Sequence, residues 1–217
     1  MMKVISLLTI TMIWSSCAVR LTDDKKTAIK NELADMVKED QIAADIKKGP
    51  YKDYTTGQWN HFKDSVYAIH QQRLAAIFKQ YGFPGFNMVG KDGSTNFWLL
   101  VQHCDKFPEF QTKVLKAMNK EVKKQNANPN NYAYLFDRVQ INAGRKQLFG
   151  TQIAYQVTTT GKAFPRNGLL DSANVDKIRK EYTLPPLKDY LNQVTEMHYE
   201  MNKKHYQEMG VMKPDLY

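Results

Sequence analysis

One histidine at the end of an apolar segment is the residue of this sequence best suited to chemistry. Gln102-His103-Cys104-Asp105 directly follows the run TNFWLLV at residues 95–101. An imidazole gains and loses a proton near neutral pH, so His103 could act as a general acid or base. The neighbouring Cys104 raises the alternative of a thiol nucleophile. Adjacent helical residues point to different faces, which favours a small core residue at Cys104.

Two further polar residues occupy positions where a helical pattern calls for apolar side chains. Asp40 falls on the stripe that contains Met36 and Ala44, and Gln111 falls on the face that carries Val114. A carboxylate that faces inward is costly unless another group pairs with it. We therefore expect several helices to converge on a polar centre.

Hydrophobic periodicity predicts the elements that would position these residues. The indicated helices cover residues 27–48, 56–81, 95–105, 108–124, 132–141, 171–182 and 187–209, and a loop is expected over 82–93. A β-rich alternating segment, a turn at Gly161 and Ala163-Phe164 predict a hairpin over about residues 147–165. The expected fold is a mainly α single domain, residues 28–217, with one small β-hairpin.

The first twenty residues predict export and attachment to a membrane by lipid. Lys3 precedes an apolar run at residues 4–14, and Ser15-Ser16-Cys17 closes it. The run is shorter than the roughly 20 residues that a membrane-spanning helix needs, and the pattern is typical of a secretory signal. The cysteine after small residues resembles a lipobox, which predicts a signal peptide over 1–16, lipid on Cys17, a tether over 17–27 and a location in the bacterial cell envelope, periplasmic or surface-exposed. The alternative is an ordinary signal peptide with an incidental cysteine.

Composition argues against several functional classes. The aromatic content of 12% argues against disorder, and the net charge of +9 invites a search for anionic partners. Export and the lack of an aromatic-and-basic motif disfavour nucleic acid. The sequence contains no C-x-x-C or H-E-x-x-H spacing, phosphate loop or nucleophile elbow.

A basic stripe either faces solvent or rests on an anionic membrane. The stripe consists of Lys113, Lys116, Lys120, Lys123 and Lys124.

Several short motifs in a fixed order resemble the signature of a bacterial family catalogued only as a domain of unknown function. The similarity spans about residues 29–190, and it implies that the polar motif residues are the family's signature. It implies no activity, substrate or cofactor. Cys104 departs from the small residue, such as alanine, expected at its position. The motifs are Asp40-Gln41, Gly82-Phe83-Pro84-Gly85 with Val89-Gly90, Gln102-His103-x-Asp105, Asp137-Arg138 and Gly144-x-x-Gln147-x-x-Gly150-Thr151-Gln152.

The signature residues allow two interpretations. In the first, they line a cleft for a small polar or anionic ligand, where His103 is the acid or base, Asp137 or Asp105 orients it, and Arg138 clamps an anionic group. Hydrolysis or group transfer is then the natural reaction class, with the cofactor and any protein partner left open. In the second, the same residues form a buried hydrogen-bond network in a non-enzymatic envelope module. The residues expected to contact a ligand are Asp40, Gln41, Gln111, Gln147, Thr151 and Gln152.

A metal ion is a further alternative for these residues. His103, Asp105, Asp40 and Asp137 could supply nitrogen and oxygen ligands. His-x-Asp spacing alone is a weak signal, and the signature contains a single histidine. The prediction from the sequence therefore assigns no metal ligand.

Overall fold

Helices α1 to α8 and one small hairpin make up the regular structure in the computed structural model, which describes residues 21–217. This part of the chain is a mainly α single domain, as the sequence predicted. The predicted signal peptide and Cys17 lie outside the described residues. Within residues 21–217, none of the helices combines the length and hydrophobicity needed to cross a membrane. The elements are α1 (Asp23–Ala44), a 3₁₀ turn (Gly49–Tyr51), α2 (Thr56–Tyr81), α3 (Phe86–Gln102), α4 (Pro108–Lys123), α5 (Pro129–Asn142), β1 (Ile153–Tyr155), β2 (Ala163–Pro165), α6 (Val175–Glu181), α7 (Leu187–Met201) and α8 (Lys203–Glu208).

The first helix begins earlier than the sequence predicted because a threonine caps it. The hydroxyl of Thr22 accepts a hydrogen bond from the amide of Lys25 at 3.4 Å. This satisfies one of the amides that have no partner inside the helix. Residues 23–27, which we assigned to the tether, are therefore helical, and the helix ends at Ala44.

The second helix has the bounds that its pattern predicted. Its N-terminus carries a capping box, in which the Thr55 hydroxyl accepts from the Gln58 amide and the Gln58 side chain accepts from the Thr55 amide. The helix ends at Gly82, whose φ of +73° lies in the left-handed region that favours glycine.

The predicted loop over residues 82–93 is present only at 82–85, and its remainder is helical. The helix α3 begins at Phe86, and Gly90 (φ +71°) introduces a kink within it. An ideal Cβ at Gly93 would lie 2.7 Å from the Cβ of Val89, so this turn packs too closely for a larger residue. The glycines that suggested a loop therefore serve a kink and a close contact inside a helix.

The helix α3 lies in the hydrophobic core, as expected for a segment that is apolar nearly all round. Phe97, Leu100 and Val101 of α3 are buried in one cluster with Leu33 of α1 and Leu74 of α2. The helix ends where these neighbours still flank it. The first residues after it are therefore held beside α1 and α2.

The predicted hairpin is present, but its strands are shorter than the segment 147–165. The strands β1 and β2 pair antiparallel, with Tyr155 opposite Ala163. Gln147 lies outside the hairpin and forms an isolated bridge with Leu169. The segment between Gln147 and β1 is a loop, and three of its backbone amides donate to the buried carboxylate of Asp137.

The C-terminal helices also differ from the predicted bounds. The helix α6 does not include Asp171, because the Asp171 carboxylate accepts from the amide of Asn174 and forms a local turn. The predicted last helix is divided at Asn202 into α7 and α8. The Asn202 side chain donates to the carbonyl of His198 at 2.9 Å, which competes with continuation of the helix.

Candidate functional site

A buried aspartate holds the histidine that the sequence singled out. His103 follows the last residue of α3, and its Nδ1 lies 2.9 and 2.8 Å from the two carboxylate oxygens of Asp40 on α1. The Asp40 side chain is 1% exposed and that of His103 is 21% exposed. A carboxylate only accepts hydrogen bonds, so Nδ1 carries a hydrogen, and in the neutral form of the ring the lone pair lies at Nε2. Among the described residues, Nε2 has no hydrogen-bond partner.

Three neighbours complete the surroundings of Asp40. Gln41 Nε2 donates to Asp40 Oδ2 at 3.2 Å. His70 is buried on α2, with its Nδ1 4.0 Å from Asp40 Oδ1 and its Nε2 3.3 Å from the Glu39 carboxylate. The inward position that the helical pattern gave to Asp40 is confirmed. The sequence predicts Asp40 as a ligand contact, and the structure places its buried carboxylate against His103.

A second pair, Asp105 and Arg138, lies on the same side of the molecule. Arg138 on α5 donates from Nε and Nη2 to the two carboxylate oxygens of Asp105 at 2.8 and 2.5 Å. Asp105 also accepts from Gln111 at 3.1 Å and from Asn142 at 2.8 Å. The guanidinium edge that the sequence assigned to an anionic ligand is therefore occupied by Asp105. Gln111 is fully buried, as predicted, and its Nε2 donates to the Asp105 carboxylate of this pair.

The charge of Arg138 controls the protonation of Asp105. Partial burial raises the pKa of Asp105, but the hydrogen bonds and positive charge of Arg138 outweigh burial and hold that pKa below its usual value. The group thus stays ionised at any physiological pH. It contributes a fixed negative charge beside His103.

A small pocket of about 200 Å³ connects the two pairs. His103, Asp105 and Tyr67 line it, together with Phe107. The Tyr67 ring centroid lies 5.3 Å from that of His103. Burial, followed by the negative charge of Asp40, raises the pKa of Tyr67 to about 12, so its hydroxyl remains a hydrogen-bond donor. The pocket is therefore lined by a histidine, a tyrosine that stays protonated and the carboxylate of the Asp105–Arg138 pair.

The sequence did not identify Tyr67. Its position three residues before His70 on α2 places both on one helical face, which was the available signal. An aromatic residue on a helical stripe is ordinarily core, so this signal could not distinguish a pocket residue. The identification required the contact between α2 and the end of α3.

Asp137, a predicted catalytic residue, lies in a separate buried network. Its Oδ1 accepts from the amides of Leu148 and Phe149 at 2.8 and 3.2 Å. Its Oδ2 accepts from the amide and the hydroxyl of Thr151 at 2.9 and 3.0 Å. Burial raises the pKa of Asp137, and these four hydrogen bonds limit the rise. The carboxylate holds the loop before β1, and no hydrogen bond among the described residues joins it to His103.

Gln147 and Gln152 belong to the same loop rather than to the pocket. The buried Gln147 donates to the carbonyls of Gln152 and Arg166 at 2.7 and 2.6 Å and accepts from the Gln152 amide at 2.8 Å. The Gln152 side chain donates to the Tyr134 carbonyl at 3.4 Å. The structure thus separates the predicted ligand contacts. Gln147, Thr151 and Gln152 hold the loop, and Asp40, Gln41 and Gln111 lie in the networks around His103 and Asp105.

Cys104 is a core residue, which is the interpretation that the sequence favoured over a thiol nucleophile. It is 1% exposed, and its Sγ contacts the Leu100 carbonyl at 3.5 Å. Burial raises the pKa of the thiol to about 12, with further contributions from the charges of Asp40 and Asp105. A thiol that stays protonated is a poor nucleophile. Within the described part of the chain, no three histidine, cysteine, aspartate or glutamate side chains group closely enough to hold a metal ion.

Replacing Arg138 with methionine is expected to raise the pKa of Asp105 to its ordinary range or above, because the methionine keeps the bulk but removes the charge that lowers this pKa. The folded-state pKa of Asp105 is lowered, so its stabilising contribution is present above the unfolded value and lost as pH falls through the folded value. Carboxyl ¹³C NMR titration measures this shift. Lys106→Met, which removes the partner of Asp64, is the control. An unchanged Asp105 titration in Arg138→Met would contradict the assignment.

Comparison with known proteins gives a family without a known activity. The chain matches a family described as "Family of unknown function (DUF6624)" over residues 27–204. No curated protein and no solved structure matches the chain. The matched range contains His103, Asp40, Arg138 and Tyr67, and it covers most of the described residues. The chain therefore belongs to this family of unknown function.

Proposed function

We propose that this protein is an enzyme that uses His103 as a general base on a polar or anionic substrate. One observation carries the proposal. The buried carboxylate of Asp40 binds Nδ1 of His103, which leaves Nε2 with a lone pair at a pocket large enough for a small reacting group. A carboxylate that fixes the tautomer of a partly exposed histidine is an arrangement that supports general-base catalysis.

The remaining groups suit hydrolysis or transfer to an alcohol. Water or an alcohol loses its proton to His103 Nε2 as its oxygen attacks a carbonyl or phosphoryl centre. The Asp40 carboxylate stabilises the imidazolium that forms. The Tyr67 hydroxyl donates to the oxygen that gains negative charge. His103 then returns the proton to the departing group, so the histidine ends the cycle neutral.

A second candidate is a non-enzymatic envelope module in which the polar residues maintain the fold. It is favoured by the Asp137 network, whose two carboxylate oxygens are bound entirely by the chain's own groups. The same is true of both oxygens of Asp105. The candidates differ at His103, because only the enzyme needs its Nε2.

The test is turnover of a panel of small ester and phosphoester substrates by the parent protein and by His103→Gln. Glutamine keeps a donor toward Asp40 and removes the basic nitrogen. His61→Gln, at an exposed position of α2, is the matched control. A substrate turned over equally well by the parent and by His103→Gln would refute the proposal.

We further propose that the protein is exported and held at a membrane of the cell envelope by lipid on Cys17. The supporting features are the basic start at Lys3, the apolar run 4–14 and the small residues before the cysteine. We also propose that the ordered polar motifs around Asp40, His103 and Arg138 are the signature of the family. Under this proposal the domain faces the periplasm or the cell exterior.

The substitution Cys17→Ala is expected to abolish metabolic labelling by palmitate and to release the protein from membranes. A single acyl-bearing cysteine is the only attachment proposed, so nothing else would retain it. The control is Cys104→Ala, which removes the other cysteine and should leave labelling unchanged. Labelling that persists in Cys17→Ala would disprove lipidation at this residue.

A further inference from the structure

A larger groove adjoins the pocket of His103. It lies between α2 and the start of α4 and has a volume of about 710 Å³, within the range of small-molecule sites. Lys106 and Phe107 line both the groove and the smaller pocket. The two spaces are therefore neighbours at the connection between α3 and α4.

The floor of the groove is apolar. Phe78 of α2 and Phe110 of α4 pack edge to face, with ring centroids 6.1 Å apart. Ala75, Phe107 and Pro108 extend this surface. A concave apolar surface of this size favours the hydrocarbon part of a ligand, because burial removes that part from water.

The charges at the groove favour an anion. Lys79, Lys106 and Lys113 line it, against the single acidic residue Glu109. Lys106 pairs with Asp64 at 2.7 Å. Lys79 and Lys113 are exposed and make no ion pair within the described residues. The rim thus offers two free ammonium groups above an apolar floor.

We propose that this groove binds a single-chain amphiphile with an anionic head group, as the subsite that delivers substrate to His103. The hydrocarbon chain lies on Phe78 and Phe110, and the anionic group lies near Lys79 and Lys113. The delivery of substrate to His103 rests on the proposed enzymatic function, whereas binding in the groove does not. The groove narrows the proposed substrate class from any polar or anionic molecule to an anionic, lipid-like molecule. Such a substrate suits a protein that is anchored at a membrane.

Binding of dodecanoate below its micelle concentration, measured by isothermal titration calorimetry, tests the groove. Dodecyltrimethylammonium has the same chain and the opposite charge and should bind more weakly. Octanoate should bind more weakly than dodecanoate, by up to about fourfold per methylene removed. The double variant Lys79→Glu/Lys113→Glu should weaken dodecanoate binding about tenfold, since each reversal replaces an attraction with a repulsion.

Lys120→Glu/Lys123→Glu is the matched control, because it makes the same charge change on α4 away from the groove. Equal weakening by the control pair, or equal binding of the cationic amphiphile, would overturn the inference. Binding only to anionic vesicles, lost equally in both double variants, would assign the lysines to a membrane surface and also overturn it.

His103→Gln separates this inference from the proposed function. It should bind dodecanoate as the parent does, because His103 lies in the adjoining pocket and not in the groove. No binding by the parent, with turnover that still depends on His103, would reject the groove alone. Normal binding with turnover unaffected by His103→Gln would reject the catalytic proposal and leave the groove as a binding site.

Discussion

The substitution Asp137→Asn is expected to destabilise the protein by roughly 3 kcal/mol or more, because an amide cannot accept at both positions of the carboxylate. Asp137 receives four hydrogen bonds, three from backbone amides and one from the Thr151 hydroxyl. An asparagine NH₂ would face amide donors in a buried site. For a chain of this size the melting temperature should fall by about 6–12 °C, measured by differential scanning calorimetry.

Asp64→Asn is the control for this effect, since Asp64 is exposed and pairs only with Lys106 among the described residues. Its melting temperature should change little, as expected for a surface ion pair. Thr151→Val should give a smaller loss than Asp137→Asn, because it removes one of the four donors. A melting temperature for Asp137→Asn equal to that of the parent would show that the network is not structural and would return Asp137 to the catalytic candidates.

The substitution Asp40→Asn is expected to lower kcat by about 10²–10⁴-fold on any substrate that depends on His103. The asparagine can accept from His103 through its oxygen, or donate through its nitrogen and stabilise the other tautomer. It cannot supply the negative charge that stabilises the imidazolium. Steady-state kinetics on a substrate from the panel measures the effect, with KM expected to change far less than kcat.

Glu39→Gln is the matched control for Asp40→Asn, because it makes the same chemical change on the adjacent residue, beside His70 rather than His103. It should leave kcat within a few-fold of the parent value. Both variants need a melting temperature near that of the parent for the comparison to report on chemistry. A kcat for Asp40→Asn equal to that of the parent would exclude the proposed role of the carboxylate.

Sequence periodicity located the polar centre but did not assign its contacts. Asp40 and Gln111 interrupt apolar stripes, and the structure confirms that both are buried. The pattern indicated that an inward carboxylate needs a partner, and the partner is His103, which is 63 residues away in the chain. Pairing at that separation depends on how α1 packs against α3, which single-helix periodicity does not contain.

Asp137 and Arg138 show why neighbours in a motif do not share a site. Adjacent residues on a helix project in different directions, so α5 sends Asp137 into the loop before β1 and Arg138 toward Asp105. The motif was treated as one functional unit. Backbone amides as hydrogen-bond partners leave no mark in the sequence, so the contacts of Asp137 with this loop could not be predicted.

The glycines of α3 show that sequence patterns also miss features of the fold that depend on tertiary packing. Gly90 and Gly93 fall within the loop that the sequence predicts over residues 82–93, whereas both lie in α3. Their actual roles, a kink and a close contact with Val89, depend on tertiary packing. The start of α2, by contrast, lies where hydrophobic periodicity predicts it, and Thr55 caps the helix there.

The dependence of His103 on a distant helix gives the protein an internal spectroscopic reporter. The tautomer of this ring is fixed only while α1 is packed so that Asp40 meets Nδ1. When α1 is undocked from the domain, Asp40 no longer contacts His103, and the ring returns to the ordinary mixture of imidazole tautomers. The ¹⁵N chemical shifts of this one side chain therefore follow the docking of α1, the helix nearest the proposed anchor, separately from the unfolding of the remaining domain.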